Sequence, residues 1–209
     1  MEAIFDLAAN EKEVIIIDDN MGGFRAAKSI AKDRDKRLRF GVTLNSSTGQ
    51  ESSNVIYFAK DNKGVDSLRR ICTKTFVDGE GTYQVDKNDL EGIKVAIPFY
   101  DSFIHKNLHF FGIHDFNAEG ISPIYFREDN GHPYDPFINA ALDKLGVETI
   151  AAKSIYYEKK AHFPAFQFYK ANCVPRGGRK PNFGNPNLND CCSDEFSWEN
   201  YLTKAGKGA

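Results

Sequence analysis

Residues 14–23 read Val14-Ile15-Ile16-Ile17-Asp18-Asp19-Asn20-Met21-Gly22-Gly23, and this stretch sets the fold class. An unbroken β-branched run predicts a strand covered on both faces, as in a sheet sandwiched by helices. The Asp-Asp-Asn and Gly-Gly that follow predict a turn. A helix is predicted next, from Phe24 to Ala31, with a charged segment through Arg39. Working outward, the same alternation recurs. Strands are predicted at Phe40–Leu44, Val55–Ala59, Val95–Ile97, Ile124–Phe126 and Thr149–Ala152, with Asn45–Ser53 as a polar loop. Helices are predicted at Met1–Ala9, on the face Val65, Leu68, Ile71 and Cys72, over Phe137–Leu145 up to Gly146, and at Phe163–Ala171. Strands alternating with helices predict an α/β fold with a largely parallel sheet, whose function sits at the carboxyl ends of the strands.

Two stretches do not follow the pattern. Residues 98–122 are rich in Phe, His and Asn without a period, and residues 174–190 are a Pro-, Gly- and Asn-rich loop. After that loop, Ser193 or Asp194 is expected to cap a last helix. Residues 1–172 are therefore expected to form the α/β body. Residues 173–209 add an irregular loop and a helix packed on the same domain.

Composition narrows the classes of function. With 17 Phe and 9 Tyr the chain holds too much apolar surface to stay unfolded. Its 27 Lys and Arg against 29 Asp and Glu leave a net charge of −2, so no global field draws it to nucleic acid. No run of 18 apolar residues suggests a membrane span. MEAIFDLAANEKE has neither the basic start nor the apolar centre of a secretory signal. Cys72, Cys173, Cys191 and Cys192 lack metal-site spacing and read as free thiols in a reducing compartment. A cytoplasmic location is expected, the host's cytoplasm if the protein is viral.

The predicted strand ends carry few groups that could hold a hard divalent cation, which needs anionic oxygen or imidazole nitrogen. Asp18 and Asp19 follow the first strand, Thr43 and Asn45 come at the end of the second, and Asn54 precedes the third. Lys153, Ser154 and Tyr156 follow the strand at 149. Asp18 and Asp19 could hold a weak Mg ion, or simply end the strand and begin the turn. His105, His109 and His114 cluster in the segment without a period. They are either a relocated metal site or loop histidines. His132, before Pro133 in a turn, needs no further role. Ser154 lacks a nucleophile-elbow motif. Arg176, Arg179 and Lys180 with Phe183 form a basic loop able to hold a phosphate backbone and stack a base, or an exposed loop with solvated charges. Arg69, Arg70 and Lys74 fit the solvent face of a helix.

Several segments, taken in order, resemble the polymerase and histidinol phosphatase (PHP) domain of the bacterial DNA polymerase III alpha subunit, in its short phage-encoded form. They are IIIDDNMGGFRAAKSIA, FGVTLNS, NVIYFAKDNKGVDSLRRICT, PIYFREDNGHPYDPFINAALDKLGVETIAAKSIYY, IPFYDSF and FGNPNLNDCCSDEFSWENYL, spread over residues 3 to 203. The resemblance implies a distorted parallel β/α barrel of the PHP type. The family's first strand and its His-x-His motif have no counterpart here. A barrel short of a strand must rearrange to close, cover the gap with a loop, or accept another chain. The resemblance also implies a metal centre, yet the matching positions are degenerate. Asp18 is kept with Asp19 beside it, while Thr43, Asn54, Ser154 and Tyr156 stand where the family has charged or imidazole ligands. Neutral side chains replace these ligands poorly. The expectation is a catalytically inactive PHP-like scaffold in a polymerase III-type, phage replication system, with no cofactor. The polymerase or a proofreading exonuclease is its expected partner. The alternative is a phosphoesterase or exonuclease with a rebuilt Mg, Mn or Zn site using Asp18, Asp19, His105, His109 and His114.

Overall fold

The computed structural model describes residues 1–49, 52–78, 81–100, 102–107, 116, 118–172 and 195–206. The chain divides into two compact units, Met1–Phe126 with Ala141–Ile150, and Arg127–Ala140 with Ala151–Ala209. Among the described residues no helix is long and apolar enough to cross a membrane.

The first unit is built around the Val14–Gly23 stretch. Strand β1, Glu13–Asp18, runs parallel to β2, Arg37–Ser47, with Ile17 opposite Gly41. Helix α2, Phe24–Asp33, makes the crossover and buries Phe24, Ala27 and Ala31. Its Phe24 ring meets Phe40 of β2 edge-on at 5.3 Å. Helix α1, Glu2–Leu7, buries only Phe5 within its span. So short a helix is marginal alone. Lys36 anchors the chain that leaves it: Nζ donates to the carbonyls of Ala8 (2.9 Å), Ala9 (2.7 Å) and Glu11 (2.6 Å). A cation at a helix carboxyl end satisfies carbonyls that the helix itself leaves over. Lys36→Met should lower the unfolding free energy by about 1.5–3 kcal/mol, the range for hydrogen bonds to a charged group. Urea denaturation checks this, and an unchanged midpoint would remove Lys36 as the anchor.

The sheet departs from the predicted direction at one strand, which runs antiparallel to both of its neighbours. Strand β3, Ser52–Ala59, pairs antiparallel with β2, and Asn45, Ser46 and Ser47 face Asn54, Ser53 and Ser52 in register. Most of the expected polar loop is thus ladder. Its serines are satisfied inside: Ser46 and Ser53 are buried, and the Tyr57 hydroxyl donates to Ser46 Oγ at 2.9 Å. The end of the charged segment, Arg37–Arg39, is likewise part of β2. Strand β4, Tyr83–Gln84, lies parallel to the end of β2. Strand β5, Ile93–Ile97, is antiparallel to β3 and parallel to β6, Ile124–Arg127. Strand β7, Thr149–Ala151, completes the order β1-β2-β3-β5-β6-β7. The sheet is mixed α/β in setting, curled and mostly parallel, a half-barrel compatible with a distorted β/α barrel.

Helix α3, Asn62–Thr73, starts at Asp61, whose side chain accepts from the Gly64 amide at 2.8 Å, and buries Gly64, Ser67, Leu68 and Ile71. It continues into a π-helical turn, Lys74–Asp78. Lys74 is exposed, as expected of the solvent face, but it is not simply solvated. Its Nζ pairs with both oxygens of buried Asp89 at 2.7 and 2.6 Å, and Tyr83 donates to the same carboxylate at 3.0 Å. Arg69 pairs with Asp66 at 2.8 Å and Arg70 donates to Ser67, both on the helix itself. Cys72 is a free thiol whose pKa burial pushes up to about 11. The other cysteines lie outside the described residues. Phe103–Asn107 forms a short helix, α4, where no firm helix was expected.

The second unit starts where β6 ends. Helix α5, Asp135–Leu145, begins in it, two residues earlier than predicted. Beyond β7 come a 3₁₀ turn, Lys160–His162, helix α6, Phe163–Asn172, and helix α7, Trp198–Lys204. The cap of α7 is Ser197, whose Oγ accepts from the Asn200 amide at 3.1 Å. Ser193 and Asp194, the expected caps, lie outside the described residues. Buried Phe196 is held by main-chain bonds on both sides: Tyr156 N donates to its carbonyl, and Trp198 N donates to the Tyr157 carbonyl, each at 2.9 Å.

Candidate functional site

In the first unit, the end of β1 is a self-contained turn. The Asp19 amide donates to Asp18 Oδ1 at 2.8 Å, Asn20 Nδ2 donates to Asp19 Oδ1 at 2.5 Å, and the Gly22 amide donates to Asn20 Oδ1 at 2.6 Å. Each carboxylate already accepts a local N–H, as expected of a strand terminator.

Residues opposite one another in a sheet point to the same side. The register therefore places Thr43, opposite Ile56, and Asn54, opposite Asn45, on one face of the sheet. Ile15, Ile17, Arg39 and Gly41 share that face, and so do Phe58, Ala96 and Ile124. Its centre is apolar. Ile56, Ala96 and Ile124 form a buried cluster with Phe58 and Phe126 packed against it, the two rings 6.3 Å apart. The Phe58 ring occupies the space above Gly41, where an added Cβ would come within 2.6 Å of Cε1. Thr43 and Asn54 thus sit on an apolar face, and Asn45 of that face donates from Nδ2 to Thr82 Oγ1 at 2.9 Å. His105 is 9% exposed, on α4, edge-on to the Tyr100 ring at 5.9 Å. His109 and His114 lie outside the described residues, as do Arg176, Arg179, Lys180 and Phe183. Among the described residues no group of three or more His, Cys, Asp or Glu could hold a metal ion.

The second unit holds a polar cluster that the sequence reading passed over. It sits at the carboxyl ends of β6 and β7, the location expected for sites in α/β folds. Glu128 follows β6 directly and is only 4% exposed. Its carboxylate accepts from Ser154 Oγ at 2.7 Å, from the Ser154 amide at 3.0 Å and from Asn130 Nδ2 at 2.8 Å. Lys153 Nζ donates to Asn130 Oδ1 and lies 5.6 Å from the centre of the Phe196 ring. Burial lowers the Lys153 pKa, and the charge of Lys204 adds to the effect. Asp135 Oδ2 accepts from the amides of Asn130 (2.8 Å) and His132 (3.1 Å), fixing the turn that leads into α5. His132 is no idle turn residue. It is 2% exposed, and its Nδ1 accepts from the Tyr134 amide at 3.1 Å.

The chemistry of this cluster is inward. A buried carboxylate with its oxygens taken up by Ser154 and Asn130 holds two strand ends together, because a buried charge is tolerated only when hydrogen-bonded. Ser154 is thereby committed to Glu128. Tyr156, two residues on, is stacked on Phe166 at 5.2 Å with the rings 10° apart, and meets Phe196 at 5.2 Å. Both positions where the resemblance implied metal ligands thus carry structural duties. The available signal for Glu128 and Asn130 was their place just after a predicted strand. No protein-family model matches the chain, and no curated protein matches it either.

Proposed function

We propose that this chain is a catalytically inactive domain of the PHP type that serves a DNA polymerase III-like, phage replication system in the cytoplasm as a scaffold for the polymerase or its proofreading exonuclease. The observation that carries this reading is the apolar sheet face in the first unit. Thr43 and Asn54, two of the positions matched to metal ligands, share it with Ile15, Ile17, Ile56, Phe58, Ala96 and Ile124. A phosphoesterase centre needs several anionic ligands to offset the charge of its ions. The aliphatic and aromatic centre of this face, which Arg39 and Lys94 share, suits packing instead. The occupied states of Ser154 and Tyr156 in the second unit support the same reading. A scaffold must bind. Sedimentation velocity of the chain mixed with the polymerase subunit, and separately with the exonuclease subunit, of a phage or host polymerase III system should give a stoichiometric complex with one of them. Independent sedimentation in both mixtures would refute the scaffold role.

A further inference from the structure

Strand β1 stands at the end of the strand order, and among the described residues no strand pairs its outer edge. A free edge offers a row of N–H and C=O groups to another strand, and proteins commonly blunt it with lysine, proline or a bulge. Glu13–Asp18 has no lysine, proline or bulge, its charges stand only at its two ends, Glu13 and Asp18, and its pairing with β2 runs residue for residue from Glu13–Arg37 to Asp18–Val42. Its two faces also differ. Val14 and Ile16 are 5% and 7% exposed, whereas Ile15 and Ile17 are 57% and 42% exposed. Two β-branched aliphatic residues side by side on an unguarded edge are apolar area that a neighbouring strand would bury.

We infer that two copies of this chain join through β1, antiparallel, about a twofold axis normal to the sheet at Ile15. Such an axis brings residues of one face against residues of the same face, so only registers with an even sum of residue numbers are allowed. Charge chooses among them. Centring on Ile15 sets Ile15 against itself, Val14 against Ile16, Glu13 against Ile17, and Lys12 against Asp18. By symmetry the Lys12–Asp18 pair forms twice. Centring on Ile16 sets Glu13 against Asp19, which repels, and leaves Asp18 facing Val14. The strand therefore carries its own complement, a lysine just before it and an aspartate at its end. That self-complementarity is why the occupant is a second copy rather than an unrelated segment.

Sedimentation velocity of the full chain over a concentration series tests the inference. The wild type should form a dimer, and Ile15→Lys should be monomeric with its circular dichroism unchanged, because Ile15 is exposed in the single chain. Lys12→Asp should weaken association about tenfold, since cross-strand charge pairs are worth up to about 1 kcal/mol each and the change acts twice. Adding Asp18→Lys to Lys12→Asp should restore it. A wild type that is monomeric throughout overturns the inference. So does a dimer that survives Ile15→Lys, or a Lys12→Asp defect that Asp18→Lys fails to repair.

Discussion

Gly64→Ala should cost at least about 3 kcal/mol of stability, at or beyond the upper end of ordinary overpacking. Gly64 lies in the first turn of α3, against the turn that leads into β5. An added Cβ would stand 2.2 Å from the carbonyl oxygen of Gly92, 2.9 Å from its carbonyl carbon and 3.1 Å from Ala59 Cα. All three neighbours are backbone, so no rotamer change relieves the clash. The backbone here is pinned from several sides. The Lys60 amide donates to the Gly92 carbonyl at 2.9 Å, the Gly64 amide donates to Asp61, and Ser67 Oγ donates to the Glu91 carbonyl at 2.8 Å. Gly92 is bound by the same geometry: its φ is +70° and its own Cβ would meet the Gly64 amide nitrogen at 2.5 Å. Urea titration of Gly64→Ala, if it folds, or loss of its cooperative thermal transition, reads the effect. Stability within about 0.5 kcal/mol of wild type, the range of an innocuous surface change, would contradict the close approach.

Glu128→Ala should cost about 3 kcal/mol by a different route. It removes the acceptor for Ser154 Oγ, the Ser154 amide and Asn130 Nδ2, and a buried donor left unmade costs its full desolvation. Glu128→Gln keeps the shape and one oxygen but turns a donor toward donors, so its loss should be smaller yet clear. Hydrogen exchange gives the locating readout, since protection of the Ser154 amide should fall in both variants. A Glu128→Ala protein as stable as wild type would mean that the cluster does not hold the strand ends.

The sequence disclosed some of this architecture and hid the rest for identifiable reasons. The existence of β1, α2 and α3 was legible in an unbroken β-branched run and in apolar stripes at helical spacing, but the expected cover on both faces of β1 was not met, since Ile15 and Ile17 are exposed. The β2–β3 hairpin was not legible, because Asn45, Ser46, Ser47, Ser52 and Ser53 look like loop. Nothing in periodicity reveals that buried serines find partners such as Tyr57 inside the sheet. Strand direction is also absent from periodicity. The short interval between the strands could have betrayed it, since a parallel crossover needs a dozen or more residues. At the site, Asp18 and Asp19 were readable as a turn, and the structure gives them that geometry. Glu128 and Asn130 were hidden within Arg127-Glu128-Asp129-Asn130, a run that looks solvated. Only tertiary placement shows that Ser154 and Lys153 close over it. His132 was dismissed for the same reason, since a histidine before proline gives no sign of burial.

We propose that a PHP-like fold has here lost its metal chemistry and kept a packing face. The most direct test is the metal content of protein purified without chelator, with hydrolysis of a generic phosphodiester measured on the same sample after adding Mn or Zn. No stoichiometric metal and no turnover are expected. Bound metal with turnover that Asp18→Ala abolishes would contradict this proposal.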